Sequence, residues 1–228
     1  MLRTIYGLIF FILLNTSAHA EISILEHMQK LERSLVGIKT VYTKTMNTPK
    51  GKKCVSYTRQ GTGIIIDPTG LIITNTHIIK NALRINVTLH DGRLFYAQIL
   101  TVSTDHDFSI IRINVPSPLA PIKFADSSQA QIGELIMAIG SSDYTDRSIM
   151  SGKITGLIQS RSQGTIEFLE TNLALYQGDS GGPIFDRHGK LLGMVMGKHK
   201  NKQNSSICIA ADLMHEQYLR TLSIINRH

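Results

Sequence analysis

The sequence predicts an all-β protein, and three observations support this prediction. Hydrophobic residues make up 42% of the 228-residue chain, and many are β-branched, which favours strands. Short apolar runs recur as far as Ile113, separated by turn residues such as the Asp-Pro-Thr-Gly of residues 67–70. Three prolines within residues 114–121 argue against a helix there, and the strand-like runs resume from Ile122. The chain therefore consists of two strand-rich parts.

A helix is expected at each end of the strand-rich region. Residues 22–35 carry apolar side chains at helical spacing ahead of the first strand. Asp212 is a candidate N-cap for a closing helix that starts at Leu213. The apolar face of that helix consists of Met214, Tyr218, Leu222 and Ile225.

Residues 1–20 have the pattern of a secretory signal peptide. Arg3 precedes an apolar stretch from Ile5 to Leu14, and Ala-His-Ala at 18–20 is a small-x-small cleavage site. The stretch has about half the roughly 20 residues that a membrane-spanning helix needs, although an uncleaved anchor is the alternative. We expect cleavage after Ala20, a periplasmic or secreted protein of residues 21–228, and no stable membrane span after cleavage.

Charge and histidine spacing limit the partners. The formal net charge is +7, but the lysine clusters within 50–53 and 198–202 have no interleaved aromatic residues. This argues against nucleic-acid binding and favours solvated loops or loose contact with anionic envelope surfaces. The histidines show no metal-ligand spacing, so a metal site is not expected. An organic cofactor is not expected either, because the candidate catalytic groups described below all belong to the chain.

The two cysteines, Cys54 and Cys208, flank opposite ends of the strand-rich region. Export makes a disulfide chemically possible, but spacing alone does not show whether the thiols meet. Two free thiols is the interpretation that we favour slightly.

Residues 178–183 read Gly-Asp-Ser-Gly-Gly-Pro and predict a nucleophile at Ser180. A serine hydroxyl becomes a good nucleophile only when a neighbouring base takes its proton. The flanking glycines allow a sharp turn, so that the amides of Gly178 and Ser180 can point at one developing oxyanion. The alternative is a plain glycine-rich turn between two strands.

Candidate partners for Ser180 lie upstream in the chain. Residues 61–77 form a predicted hairpin that ends in His77, and Asp107 opens the apolar run 108–113. The order His-Asp-Ser is the chain order of trypsin-like enzymes. Asp105 lies two residues before Asp107 and would face the same side of an alternating strand, so periodicity leaves both carboxylates open.

From about residue 36 to 212 the chain resembles the protease domain of the HtrA (high-temperature-requirement) family of trypsin-fold serine proteases. The matching segments are Thr-Asn-Thr-His at 74–77, Asp-Phe-Ser-Ile-Ile at 107–111, Ile-Gly-Glu at 132–134, Ala-Ile-Gly at 138–140, Ser-Gly-Lys-Ile-Thr-Gly at 151–156 and Glu-Thr-Asn-Leu-Ala-Leu-Tyr-Gln-Gly-Asp-Ser at 170–180.

The resemblance implies two six-stranded antiparallel β-barrels. The first would cover about 36–113 and the second about 122–212, with a linker at 114–121. It selects Asp107 as the acid, so that His77 and Asp107 come from the first barrel and Ser180 from the second.

The implied activity is that of a serine endopeptidase acting through an acyl-enzyme on Ser180. Its expected substrates are unfolded or misfolded envelope or secreted proteins, and the segment 22–35 would help to build a homotrimer. The alternatives are a non-catalytic chaperone or binding protein with a protease fold, a Glu-specific endopeptidase, and an esterase with the same triad.

The resemblance also places a substrate pocket. Ala174 would lie at its base with Leu175 nearby, and Met196, Gly197 and Lys198 would form one wall. None of these side chains is a carboxylate, so cleavage after small or medium apolar residues is expected. Lys198 could instead attract an acidic side chain, which would favour cleavage after Glu.

The chain departs from the family pattern at several positions. Asp179 and Asn172 stand where the family usually has Asn and Asp, and Ser-Ser-Asp-Tyr at 141–144 replaces a usual loop. The chain ends soon after the protease region, so control through a PDZ domain is not expected. No Ile-Val-Gly-Gly sequence follows Ala20 that proteolysis could turn into a new N-terminus for Asp179 to pair with. We therefore expect a basic loop residue or a backbone amide to pair with the Asp179 carboxylate.

Overall fold

The structure is a computed structural model that describes residues 30–49, 51–143, 146–160, 164–176, 178–199, 202 and 205–227. The strands of the N-terminal half are β1 (Leu35–Thr48), β2 (Gly51–Ile65), β3 (Leu71–Asn75), β4 (Arg84–Thr88), β5 (Leu94–Tyr96), β6 (Gln98–Ser103) and β7 (Phe108–Arg112). Those of the C-terminal half are β8 (Leu135–Asp143), β9 (Asp146–Gln159), β10 (Ile166–Thr171), β11 (Pro183–Phe185), β12 (Leu191–Lys198) and β13 (Ser206–Ala210). The short helix α1 is Thr76–Ile79, a 3-10 turn is Ser127–Gln129, and the closing helix α2 is Ala211–Ile225.

The predicted all-β, trypsin-like class is confirmed. The C-terminal strands form a closed barrel in the order β10-β13-β12-β11-β8-β9. The N-terminal strands form a seven-stranded sheet in the order β5-β4-β1-β2-β3-β7-β6, one strand more than predicted; this sheet is a half-barrel and not the closed six-stranded barrel that was expected for about residues 36–113. Its two edge strands, β5 and β6, are separated in the chain by Ala97 alone. The sheet must therefore curl until its edges approach each other, and the extra strand is the second half of one bent segment.

The predicted hairpin between β2 and β3 is formed. Ile64 pairs with Ile73 across it, and the turn is closed by the carboxylate of Asp67, which accepts hydrogen bonds from the amide of Thr69 at 2.8 Å and from its hydroxyl at 2.6 Å. Gly70 has φ +98°, a conformation that glycine adopts without steric cost. The Asp-Pro-Thr-Gly signal therefore specifies the turn that leads the chain back towards His77.

One apolar cluster is shared by the two halves. It combines buried side chains of the first sheet with others of the second barrel and of α2. Its fully buried members include Leu35, Ile64, Ile73, Ile110, Phe185, Leu191, Met194, Ile209 and Met214. The two sheets therefore meet through a common core, and this fixes their relative position.

The closing helix packs as predicted, but its start differs. Met214 is buried in the shared core, with Tyr218, Leu222 and Ile225 against it. The helix begins at Ala211, so Asp212 lies in its first turn and is not the N-cap. The Asp212 carboxylate instead accepts hydrogen bonds from the amides of Ser127 (3.2 Å) and Ser128 (3.0 Å), because the 3-10 turn brings these two donors to it.

The predicted N-terminal helix over 22–35 falls mainly outside the described residues. Lys30 to Glu32 are helical, but Leu35 already belongs to β1, where it pairs with Ile64. The expectation that the helix extends to Leu35 is therefore wrong at that end. The predicted leader, 1–20, also lies outside the described residues.

Both cysteines are free thiols, which is the alternative that we favoured. Cys54 is exposed on β2, whereas Cys208 is buried in the second barrel. Burial raises the pKa of Cys208 to about 12. This thiol stays protonated and is a poor nucleophile.

Within the part of the chain that the structure describes, every helix is too short or too polar to cross a membrane.

The contact between Tyr218 and Asp67 gives the first prediction. The Tyr218 hydroxyl donates to Asp67 Oδ2 at 2.8 Å and joins α2 to the β2–β3 turn. We expect Tyr218→Phe to lower the free energy of unfolding by about 1 kcal/mol at neutral pH, as measured by urea denaturation. The control is Tyr57→Phe, since Tyr57 is 41% exposed; an equal loss in both variants would contradict this role.

The loss of stability caused by Tyr218→Phe should become smaller as the pH falls into the acid range. Burial alone would raise the pKa of Asp67, but the hydrogen bonds from Thr69 and Tyr218 and the charge of Arg112 together lower it. A lowered pKa means that the ionised carboxylate stabilises the fold above the ordinary aspartate range and that this contribution is lost as the pH falls through the lowered value.

Candidate active site

The pairing of β3 with β7 brings His77 to Asp107. Asn75 at the end of β3 lies opposite Phe108 at the start of β7. His77 follows Asn75 by two residues and Asp107 precedes Phe108 by one, so both side chains leave the sheet at the same edge. His77 Nδ1 lies 2.6 Å from Asp107 Oδ2. A carboxylate can only accept, so Nδ1–H donates and Nε2 is left as the acceptor.

Asp107 is held in an unusual backbone conformation. Its φ is +54°, in the left-handed region that few residues other than glycine occupy. Its Oδ1 accepts from the His77 amide at 2.9 Å, and its carbonyl oxygen accepts from the Thr76 amide and from Asn75 Nδ2, both at 3.1 Å. The other open candidate, Asp105, is exposed and contacts Thr104 Oγ1 at 3.4 Å.

Ser180 lies in the loop between β10 and β11, on the C-terminal barrel. The end of this loop is joined to β12, since the Gly181 amide donates to the Val195 carbonyl at 2.9 Å and the Val195 amide donates to Gly182 at 2.8 Å. The Gly182 amide also donates to the Asp179 carbonyl at 2.9 Å, which closes the turn around Ser180.

A second set of contacts joins this loop to the N-terminal half. The amide of Thr62 on β2 donates to the Ser180 carbonyl at 2.9 Å. The Thr62 hydroxyl donates to the Gly178 carbonyl at 3.1 Å. The nucleophile loop is thus hydrogen-bonded to both halves of the molecule.

The amide of Ser180 differs from its neighbours in the described part of the chain. It donates to no backbone carbonyl among the described residues, whereas the neighbouring amides of Asp179 and Gly181 both do. Gly178 is buried with φ +102°, a conformation that glycine permits. A free amide beside a hydroxyl is the feature that an oxyanion site requires.

The Ser180 hydroxyl is not hydrogen-bonded to the His77 ring in this structure. Ser180 Oγ lies 3.4 Å from the Met196 carbonyl, and among the described residues no hydrogen bond joins it to the His77 ring. Nucleophile–base hydrogen bonds are often long without substrate and tighten in the Michaelis complex. The His77 side chain is 45% exposed and so can be reached by a substrate.

Asp179 is 2% exposed and is satisfied by a backbone amide, one of the two partners expected. Its Oδ2 accepts from the Tyr176 amide at 2.6 Å. A Cβ on Gly140 would lie 2.0 Å from its Oδ1, so the glycine makes room for the carboxylate. Burial raises the pKa of Asp179, and the Tyr176 amide and the charge of Lys198 offset this only in part.

The residues predicted to line the substrate pocket differ in exposure. Ala174 and Lys198 are exposed, and Met196 and Gly197 are partly exposed. Leu175 is 5% exposed and packs into the core of the C-terminal barrel, so its side chain contributes to the barrel and little to an open surface.

His199 and Lys202 follow Lys198 at the end of β12, and both contact Glu170. Glu170 on β10 is contacted by Lys202 at 2.6 Å and by His199 at 3.6 Å. The carboxylate of Glu170 is therefore paired with the Lys202 ammonium.

Three residues of the site carried no functional assignment from sequence. Thr62, Asn75 and Asn172 fix the loops through backbone hydrogen bonds, and Asn172 Oδ1 accepts from the Lys153 amide at 2.7 Å. The glycines that flank Thr62 are a signal of close approach. Polar residues inside apolar strand-like runs are a weaker signal that a side chain fixes a loop.

Replacing Asp179 by Asn should change the pH dependence of stability and little else. The Asn oxygen can accept the Tyr176 hydrogen bond, so we expect activity within about threefold of wild type. Because the folded-state pKa of Asp179 is raised, its contribution to stability falls as the pH rises from about 4, the ordinary aspartate value, through the raised value. The stability gained by Asp179→Asn should therefore grow with pH over this window in thermal denaturation.

Asp179→Ala serves as the comparison, since it removes the acceptor as well as the charge. It should reduce activity where Asp179→Asn does not. A stability difference between Asp179→Asn and wild type that is independent of pH would contradict a buried, unfavourably ionised Asp179.

Comparisons with known proteins agree with the fold. Residues 61–194 match the family described as trypsin-like peptidase domain. Serine endoprotease DegS of Salmonella typhimurium is 32% identical over 166 residues, covering 72% of this chain and 46% of the relative. Periplasmic serine endoprotease DegP of Escherichia coli is 34% identical over 137 residues, covering 59% of this chain and 29% of the relative.

Among solved structures, a variant of the HtrA-type protease AlgW with a decapeptide superposes with a TM-score of 0.74 at 19% identity, covering 83% of this chain and 63% of that one. This likeness shows the fold. The alignments span less than half the length of the two curated relatives.

The family match covers more than half of the chain, and the relatives confirm the HtrA-like resemblance. The chain therefore belongs to the family of trypsin-like peptidase domains.

Proposed function

We propose that this protein is an exported serine endopeptidase that cleaves unfolded or misfolded polypeptides of the envelope or the secreted fraction. The observation that supports it most strongly is the 2.6 Å contact of His77 Nδ1 with Asp107 Oδ2, in a fold where Thr62 hydrogen-bonds the Ser180 loop to the same half. The relatives named as serine endoproteases support the same activity.

The mechanism assigns each group one role. His77 Nε2 accepts the Ser180 proton as Oγ attacks the peptide carbonyl, and it then returns the proton to the leaving amine. Asp107 fixes the ring tautomer and stabilises the imidazolium. The amides of Ser180 and Gly178 donate to the oxyanion of the tetrahedral intermediate. Water then hydrolyses the acyl-enzyme by the same proton transfers in reverse.

Cleavage after small or medium apolar residues is the proposed specificity. The proposed pocket residues Ala174, Leu175, Met196, Gly197 and Lys198 include no carboxylate that would attract a basic side chain. Met196 and Gly197 are partly exposed on β12 beside Ser180, since Ser180 Oγ contacts the Met196 carbonyl.

The rival specificity is cleavage after Glu. It is favoured by the charge of Lys198, which acts on Asp179 next to Ser180.

Periplasmic location and a homotrimer belong to the same proposal. The first is supported by the leader at 1–20 and by the relative named periplasmic. The second is supported by the sequence resemblance alone and can be tested by light scattering with and without residues 22–35.

The direct test of function is hydrolysis of unfolded casein by residues 21–228 and by the Ser180→Ala variant. Wild type should cleave, and the variant should lose at least about 10³-fold in rate, because it lacks the hydroxyl that would form the acyl-enzyme. Products are identified by mass spectrometry. Equal cleavage by both proteins would exclude Ser180 as the nucleophile. No cleavage by either folded protein would favour the chaperone or binding alternative.

A peptide panel tests the specificity, with Lys198→Met as the diagnostic variant and Lys202→Met as its matched control. We expect preferential cleavage after apolar residues, unchanged within about twofold in both variants, since neither change removes apolar contact area. Cleavage after Glu that is lost in Lys198→Met and kept in Lys202→Met would establish the rival specificity instead.

A further inference from the structure

We propose that Thr62 is a positioning residue that sets the oxyanion amide of Ser180 from the opposite half of the molecule. This inference rests on the proposed function of Ser180. Thr62 belongs to β2 in the N-terminal sheet, pairs with Gly37 and is fully buried. It is not in the predicted triad, pocket or oxyanion set.

Thr62 hydrogen-bonds the peptide groups on both sides of the Ser180 amide. Its hydroxyl donates to the Gly178 carbonyl at 3.1 Å, in the peptide between residues 178 and 179. Its amide donates to the Ser180 carbonyl at 2.9 Å, in the peptide between 180 and 181. The peptide between these two carries the Ser180 N–H, which has no backbone acceptor among the described residues.

The opposite ends of the two outer peptides are also bonded. The Asp179 amide donates to Tyr176 at 3.2 Å and the Gly181 amide donates to Val195 at 2.9 Å. Each outer peptide plane is therefore held at both its carbonyl and its amide. With its neighbours fixed, the middle peptide has little freedom to rotate the Ser180 N–H away from the oxyanion.

The Ser180 loop and Thr62 are in close contact, and a side chain at Gly181 would not fit between them. A Cβ on Gly181, whose φ is +82°, would lie 2.0 Å from the Thr62 carbonyl oxygen. That oxygen accepts from the Thr74 hydroxyl at 2.8 Å, and Thr74 lies on β3, three residues before His77. One residue thus links the strand that delivers the base to the loop that delivers the nucleophile.

The side-chain hydroxyl is the part of this link that can be tested. Thr62→Val has nearly the same shape and keeps the backbone hydrogen bond, but it leaves the Gly178 carbonyl without its donor. Preorganised oxyanion donors typically contribute about 10²–10³-fold to kcat. Partial loss of the alignment of the Ser180 amide should lower kcat by a smaller factor.

We expect Thr62→Val to lower kcat about 10- to 100-fold with KM within about threefold, since the alignment acts on the transition state. The affinity for a peptidyl boronate, which mimics the tetrahedral intermediate, should fall in parallel. Thr62→Ser restores the donor and should keep kcat within about threefold. The control is Thr221→Val, which removes another buried hydroxyl that donates to a backbone carbonyl, that of Gln217 at 2.8 Å, and should leave kcat unchanged.

Unchanged kcat in folded Thr62→Val, a loss carried by KM alone, or no recovery in Thr62→Ser would overturn the proposal. If Thr62→Val does not fold, as judged by circular dichroism, Thr62→Cys is measured. Its thiol is a weak donor, so kcat at the level of Thr62→Ser would also overturn it. The Ser180→Ala variant separates the two proposals: if it remains active, the proposed function fails; if it is inactive and Thr62→Val is fully active, only the role of Thr62 fails.

Discussion

The shared apolar core between the two halves is the constraint on which the rest of the structure depends. Ile64 and Ile73 of the first sheet pack in one cluster with Phe185 and Met194 of the second barrel. Each fully buried apolar side chain stabilises by roughly 2 kcal/mol. Separating the halves would therefore cost a large share of the free energy of folding. His77 and Ser180, the proposed base and nucleophile, come from different halves, so their distance is set by this core and not by either sheet alone.

Within that frame, local backbone hydrogen bonds aim the reactive groups. Asp107 occupies the left-handed region, at φ +54°, and such a conformation persists where surrounding contacts compensate for it. Here the compensation comes from α1, because the amides of Thr76 and His77 and the His77 ring all hydrogen-bond to Asp107. The Ser180 loop follows the same rule, since its neighbouring carbonyls and amides are bonded while the Ser180 N–H donates to no backbone carbonyl among the described residues. The backbone is thus hydrogen-bonded on both sides of the proposed oxyanion position.

Much of this arrangement could be predicted from the sequence, because it depends on local signals. The Asp-Pro-Thr-Gly turn, the β-branched runs and the glycines around Ser180 each favour a specific backbone conformation. Together they predict the strands and indicate His77, Asp107 and Ser180 as candidate site residues. Periodicity could not choose between Asp105 and Asp107, whereas the register of β3 on β7 does, because Asn75 lies opposite Phe108. Without the family resemblance, which selected Asp107, the choice would have needed a pairing that is not encoded within either segment.

The parts that were missed depend on contacts distant in the chain. The extra strand arises because the chain changes partner at Ala97, from β4 to β7. Asp212 looked like a helix cap but bonds the 3-10 turn 85 residues away. Thr62 and Gly178 are separated by 116 residues; the glycines beside Thr62 indicate a close approach but not which residue makes it.

The most direct test of the central claim, an activated Ser180 served by His77 across the two halves, is the rate of labelling by a fluorophosphonate, with the adduct mapped by mass spectrometry. A single adduct on Ser180 that forms at least about 100-fold more slowly in His77→Ala is the expected result, since a general base contributes about 10²–10⁴-fold. Labelling at another residue, or labelling of Ser180 at the same rate without His77, would contradict it.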